Sequence, residues 1–229
     1  MNYFIYASYI ALLFCLIICS YHLFRLIRLG APKDLSEKAG SVKAGVIYSN
    51  TKAMAPQHKE SAFKHLPTFV TGILFHLGSF LALFLFFLLL FNTMWGFFFA
   101  YSTLSLLIAL LLLVSTCCGV GLFVKRIISK ELRPISNADD YLSVAIVSLF
   151  HLSSLLLFFT FAFHDAFHTI FSSATHSGII CAYYFIATLL FLYIPIGKLK
   201  HCVYFLAARY HLGFFYGWRG TWPPKNKEF

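Results

Sequence analysis

Five apolar runs dominate the chain, each about as long as a bilayer is thick. They cover Tyr3–Phe24, Thr68–Leu90, Trp95–Val124, Tyr141–Phe163 and Ser177–Ile196. A helix that crosses the hydrocarbon core needs about 20 apolar residues. Backbone in lipid must also satisfy its own hydrogen bonds. The runs therefore predict an all-α fold, a polytopic membrane bundle of five transmembrane helices. Of 229 residues, 60% are hydrophobic and only 11% charged, which leaves little chain for a soluble domain. The sequence reads as a single membrane domain with a loop at 25–64 and a tail at 198–229.

The charges fix a predicted orientation. Arg25 to Lys64 holds eight Lys/Arg, Lys125 to Arg133 four and Lys198 to Lys227 six, which accounts for all 18. Five spans put these three segments on one side. The other side holds the N-terminus, the Asn92–Met94 turn and the Phe163–His176 loop, none with Lys or Arg. The positive-inside rule then places the N-terminus outside and the C-terminus in the cytoplasm. Because topology requires the basic residues, the net charge of +10 does not argue for nucleic-acid binding. The first run lacks a basic leader and a small-residue cleavage site, so it reads as an anchor helix that stays.

The segment 25–64 carries Gly, Pro, Ser and alternating charges, with Pro32 and Pro56 opposing helix continuation. It reads either as a solvated connector or as a docking surface. Asn137, Asp139 and Asp140 suit a helix N-terminus, where they cap free N–H groups and complement the dipole. The six cysteines form no CxxC pair and read as small buried hydrophobes.

Ten histidines are many for such a chain. His76 lies about eight residues into the second run, a costly place for an ionisable group and so a functional-site candidate. Gly72 and Ser79 sit one turn either side of it and give it a strip of small residues. His201 ends the fifth run, and Gly197 precedes it as Gly72 precedes His76. Both histidines fall in the half of the membrane facing the basic side. Two neutral imidazoles from facing helices are the axial ligand set of a b-type haem, and buried polar packing is the alternative. Lys198, Lys200 and Arg209 stand near enough in sequence to pair with haem propionates. His151 is mid-span, suited to hydrogen bonding or to ligation. His164 and His168 at i, i+4 could hold a metal, although an interfacial loop explains them better, and no non-haem metal is expected. His176 clusters with them near the outer face, as a second-haem or proton-relay candidate with His151. His22 and His65, at the basic-side ends of helices, are candidates for a cofactor carboxylate. His58 and His211 read as solvent-facing.

These residues also carry a family resemblance. ILFHLG at 73–78 and YIPIGKLKH at 193–201 resemble helices of the respiratory nitrate reductase gamma subunit. They are also similar to membrane cytochromes b of heterodisulfide-reductase and sulfite-reductase-linked complexes, in which the motifs read like LFHxG and PFSKLxH. NADDYL at 137–142 looks like the same pattern, and the five-helix topology agrees. The resemblance implies a haem b held by His76 and His201. It also implies a second haem, with ligands ten residues after the first histidine and eighteen before the last. Those positions hold Phe86 and Tyr183, neither of which suits a b-type haem, so one haem is expected, or a second held by His151 and His176.

The implied function is a membrane anchor and electron-transfer subunit of a quinone-linked oxidoreductase in the inner membrane of a prokaryote. Electrons would pass between membrane quinone and a cytoplasmic iron–sulfur or flavin subunit. The chain shows no Gly-rich nucleotide loop, cysteine cluster or nucleophile–base pair, so no complete catalytic site is expected in it alone. The basic inner surface, including Tyr216-Gly217-Trp218-Arg219-Gly220, is the expected docking face. The rival readings are a haem-free membrane anchor or transporter component, and a cytochrome b serving another redox module.

Overall fold

A computed structural model describes residues 2–30, 32–58, 60–90, 102–162 and 173–224. Most of these are helical, with no strand among them. We label the helices α1 (Asn2–Arg28), α2 (Val42–Asn50), α3 (Glu60–Lys64), α4 (Leu66–Leu90), α5 (Ser102–Ile128), α6 (Ala138–Ala162), α7 (Ser173–Tyr193) and α8 (His201–Trp218). Four helices are long and apolar enough to cross a membrane. A fifth span is counted if Ser177–Tyr193 and Lys198–Trp218 together form one broken crossing. The chain is thus a multi-pass helical membrane protein. The Asn92–Met94 turn, residues 163–172 of the Phe163–His176 loop with His164 and His168, and the side chain of His176 lie outside what is described, while the last four residues of that loop begin α7.

The helix ends follow local chemistry. Asn137 Oδ1 accepts from the Asp140 N–H at 3.1 Å, and Asp140 Oδ2 accepts from the Asn137 N–H at 3.1 Å. This reciprocal cap satisfies two N–H groups that would otherwise be orphaned at the start of α6. α7 stops before Pro195, which lacks an N–H and disfavours helical backbone at Ile194. The chain then tightens, with the Gly197 N–H on Tyr193 O at 2.8 Å.

The chain divides into two compact units. Unit 1 comprises Met1–Cys15 and Val70–Lys198; unit 2 comprises Leu16–Phe69 and Leu199–Phe229. In unit 1, α4 packs through small residues. A Cβ on Gly78 would stand 2.1 Å from Ser115 of α5, and one on Gly119 of α5 would stand 2.2 Å from Ser148 of α6. Lipid offers no hydrophobic drive for helix association, so such close van der Waals approach is what holds spans together. The buried hydroxyls of Ser115, Thr116, Ser148, Ser153 and Ser154 each donate back to a carbonyl three or four residues earlier. This is how polar side chains are tolerated on an apolar helix. A charged node lies at the start of α6: Asp140 takes Arg126 at 3.1 Å and Lys198 at 2.6 Å.

In unit 2 the segment read as a connector or a docking surface has helical structure of its own. The segment after α1 forms α2 and two short 3₁₀ turns, and the tail forms α8, a helix not anticipated from sequence. α2 and α8 meet backbone to backbone. A Cβ on Gly45 would lie 2.4 Å from Gly213 O and 2.5 Å from Gly217 Cα. Ser49 Oγ donates to Arg209 O at 2.7 Å, and the buried Arg209 guanidinium donates back to Ser49 O. Further along, Ala39 and Gly40 N–H groups bond to Trp218 O at 2.8 and 3.0 Å. Trp218 Nε1 donates to Ser36 O at 2.8 Å, and Arg219 pairs with Asp34 at 2.9 Å.

Candidate functional site

His76 occupies the middle of α4 with its ring exposed. Its Nδ1 lies 2.6 Å from Gly72 O. A carbonyl only accepts, so Nδ1 carries the proton and the neutral ring keeps its lone pair on Nε2. A carbonyl that fixes the tautomer in this way is the usual support of a metal-ligating histidine. Gly72 is open: a Cβ there would meet nothing within 4 Å. The expected small-residue strip is therefore real at Gly72 and absent at Ser79, which turns the other way.

Ser79 belongs instead to His151. Its Oγ donates to Phe75 O at 2.9 Å and lies 3.0 Å from His151 Nε2. This bond takes Nε2 of His151 and leaves its Nδ1. That Nδ1 has no hydrogen-bond partner among the described residues. The ring is fully buried, packed on Phe75 at a centroid distance of 5.0 Å, with Cε1 3.6 Å from where a Gly78 Cβ would stand. Of the two roles read from sequence for His151, hydrogen bonding to a neighbouring helix is the one realised. Its ring is buried against Phe75, Gly78 and Ser79 of α4.

Phe86 and Tyr183, the two positions at which the resemblance would place second-haem ligands, do face each other. Their ring centroids are 6.2 Å apart, and both side chains are almost wholly buried, at 1% exposure. Phe191 lies edge-on to Phe86 at 4.9 Å, and Phe150 stacks on Tyr183 at 5.8 Å. Where a second cofactor would need a slot between α4 and α7, a packed aromatic cluster fills the space.

His201 opens α8 with its ring exposed, after the 3₁₀ turn Lys198–Lys200. It belongs to unit 2, whereas His76 belongs to unit 1. Gly197 does not mirror Gly72. A Cβ on it would stand 2.3 Å from the Tyr193 ring, and that ring is held by a hydrogen bond from Tyr193 Oη to Asp139 O at 3.0 Å. Two of the expected propionate partners have other work. Lys198 is paired with Asp140, and Arg209 clamps α2 to α8. Lys200 remains exposed beside His201. Of the basic-side histidines, His22 bonds through Nδ1 to Tyr204 Oη at 2.9 Å, joining α1 to α8 within unit 2.

The bond of Ser79 to His151, the role of Ser49 and the Gly45–Gly213–Gly217 contact were missed in the sequence. A signal for the last was present: Gly213 and Gly217 are four apart on one helix face, the small-xxx-small spacing of close helix pairs. Ser79 and Ser49 gave none, because a lone serine shows no periodicity. No family model matches the chain, and no curated protein or solved structure matches it either.

Proposed function

We propose that this chain is a haem-b-carrying membrane subunit that passes electrons between membrane quinone and a cytoplasmic iron–sulfur or flavin partner. The observation that carries the proposal is the state of His76. It is an imidazole in the middle of a membrane helix, with Nδ1–H tied to Gly72 O, an outward Nε2 lone pair and open space beside Gly72. Such a residue is expensive in lipid unless it has a use. His201 would be the second residue to hold the haem, and Lys200, next to it in the chain, would be a candidate cation for a propionate. Haem b bound there would supply reversible one-electron transfer, its potential tuned by burial and by the Gly72 bond. The residues of the chain hold and orient; the substrate chemistry belongs to the partner. One haem is proposed, because the Phe86–Tyr183 cluster occupies the second position.

The proposed setting is the inner membrane of a prokaryote. The N-terminus is outside and the segments rich in Lys and Arg are in the cytoplasm, as the charge partition favours. The test is a reduced-minus-oxidised visible spectrum of protein purified after expression with haem supplied. A b-type α-band is expected, lost in His76→Ala and in His201→Ala. No band in the parent chain, or a band that persists in both variants, refutes the proposal. A second reading, a haem-free membrane anchor, is favoured by the ordered platform that residues 34–58 build on α8. The same spectrum separates the two.

A further inference from the structure

We infer that the outward face of α2 with its flanks, Lys38, Lys43, Ile47 and Lys52, is a docking surface for a protein partner with an acidic, apolar-centred face. The inference rests on the proposed orientation and narrows the partner site within the expected basic surface. On that surface the segment Tyr216–Gly220 is already occupied from within. Trp218 and Arg219 are bonded to Ser36 and Asp34, and Gly217 and Gly220 touch the backbone of Ser41 and Ala39. What the tail presents to the outside is therefore the segment folded on it.

That segment is built to be rigid. Gly45, Tyr48 and Ser49 are buried toward α8, so the helical repeat turns Lys43, Ile47 and Asn50 outward at i, i+4 and i+7, all exposed. Between residues 32 and 58 the exposed charges are Lys33, Lys38, Lys43 and Lys52 against Glu37 alone. The other acid, Asp34, is spent on Arg219. Lys38 is steadied over the Trp218 ring at 5.7 Å. Two large apolar side chains stand in this basic field, Leu35 at 101% exposure and Ile47 at 54%. Setting membrane topology requires only that lysines be present on one side, in any conformation. Fixing them around an exposed isoleucine, through glycine contacts and a buried arginine, makes a surface of defined shape. A basic rim about an apolar centre complements an acidic partner and sets its register and encounter rate.

The test uses the full chain purified in mild detergent from membranes of its own source, at low and at high salt. Expected is an equimolar flavin or iron–sulfur subunit, identified by mass spectrometry and by its own absorbance. It is released by high salt and depleted about tenfold or more in Lys43→Glu/Lys52→Glu and in Ile47→Asp. Lys130→Glu, on the separate basic segment of unit 1 and also exposed, retains it. Retention in the α2 variants, or equal loss in Lys130→Glu, overturns the inference. So does finding no subunit in any preparation while the chain, but not its α2 variants, prefers phosphatidylglycerol over phosphatidylcholine vesicles, which assigns the face to lipid. The haem band read on the same samples separates the two claims. Partner loss in the α2 variants without any haem band removes the proposed function and keeps the docking face. An intact band with the partner retained does the reverse.

Discussion

Gly45→Ala puts the α2–α8 contact to a quantitative test. The new Cβ would stand 2.4 Å from Gly213 O, whereas ordinary contact begins at 3.4 Å, so α2 must retreat by about 1 Å. Backbone is on both sides of the contact, and no side chain can swing away to relieve it. Ser49 rides on the same helix, so the same retreat stretches its 2.7 Å bond to Arg209 O beyond hydrogen-bonding range. Overpacking costs about 1–3 kcal/mol, and the lost neutral hydrogen bond about 0.5–1.5 kcal/mol. Alanine returns about 1 kcal/mol through its better helix propensity. The net of about 0.5–3.5 kcal/mol raises the opening equilibrium of the segment at least about twofold. Trypsin cleavage at Lys43 and Lys52 reads that equilibrium when opening is fast relative to cutting. Gly121→Ala on α5, where a Cβ meets nothing within 4 Å, is the control and leaves cleavage unchanged. A Gly45→Ala protein cut at the parental rate, with an unchanged melting temperature, would show that the two backbones are not in contact.

Three further outcomes are expected. His151→Leu removes an unpartnered buried nitrogen while keeping volume, so its stability in detergent stays within about 1 kcal/mol of the parent. His151→Ala leaves a void and melts lower, by about 2 kcal/mol or more; a Leu variant that melts as low as Ala would show that the Ser79 bond outweighs the orphaned Nδ1. Phe86→Ala opens the aromatic cluster at a cost of about 3 kcal/mol, the low end for aromatic truncation because lipid supplies no transfer term. It leaves any haem band in place, and loss of the band would link that cluster to the cofactor. Asp34 is held below the ordinary carboxylate value of 3.8, chiefly by the Ser36 N–H and also by Arg219. A lowered pKa means the ionised carboxylate stabilises the fold above that ordinary value and ceases to do so as pH falls through the lowered one. Thermal unfolding followed by the fluorescence of Trp218 and Trp222 should therefore show Asp34→Asn less stable than the parent at neutral pH, with the gap closing on acidification below 3.8. A gap that persists unchanged into acid would sink this assignment.

Membrane spans were legible because lipid imposes a one-dimensional rule, a minimum apolar length, that needs no knowledge of neighbours. The observed helices α1 and α4 match the predicted runs to within a few residues, and α7 ends where Pro195 dictates. Capping at Asn137 and Asp140 was equally readable, because cap and N–H are three residues apart. His76 stood out for the same kind of reason: its Gly72 partner is one helical turn away.

What depended on distant residues was misread or missed. His151 and Ser79 are 72 residues apart, and Ser49 and Arg209 are 160 apart; neither member of either pair shows its partner in the local pattern. Arg209 and Lys198 looked like cofactor ligands because sequence proximity to His201 was the sole guide, and packing gave them Ser49 and Asp140 instead. The polar segment after α1 looked like a connector or a docking surface because its hydrophobic content is low. It is held by glycine-to-glycine backbone approach and carbonyl bonds, interactions that leave no apolar signature. Composition alone thus determined that this chain is a helical, multi-pass membrane protein. Only the tertiary structure decided which histidine is sealed in packing and which presents an open nitrogen, because that depends on which helix faces each ring.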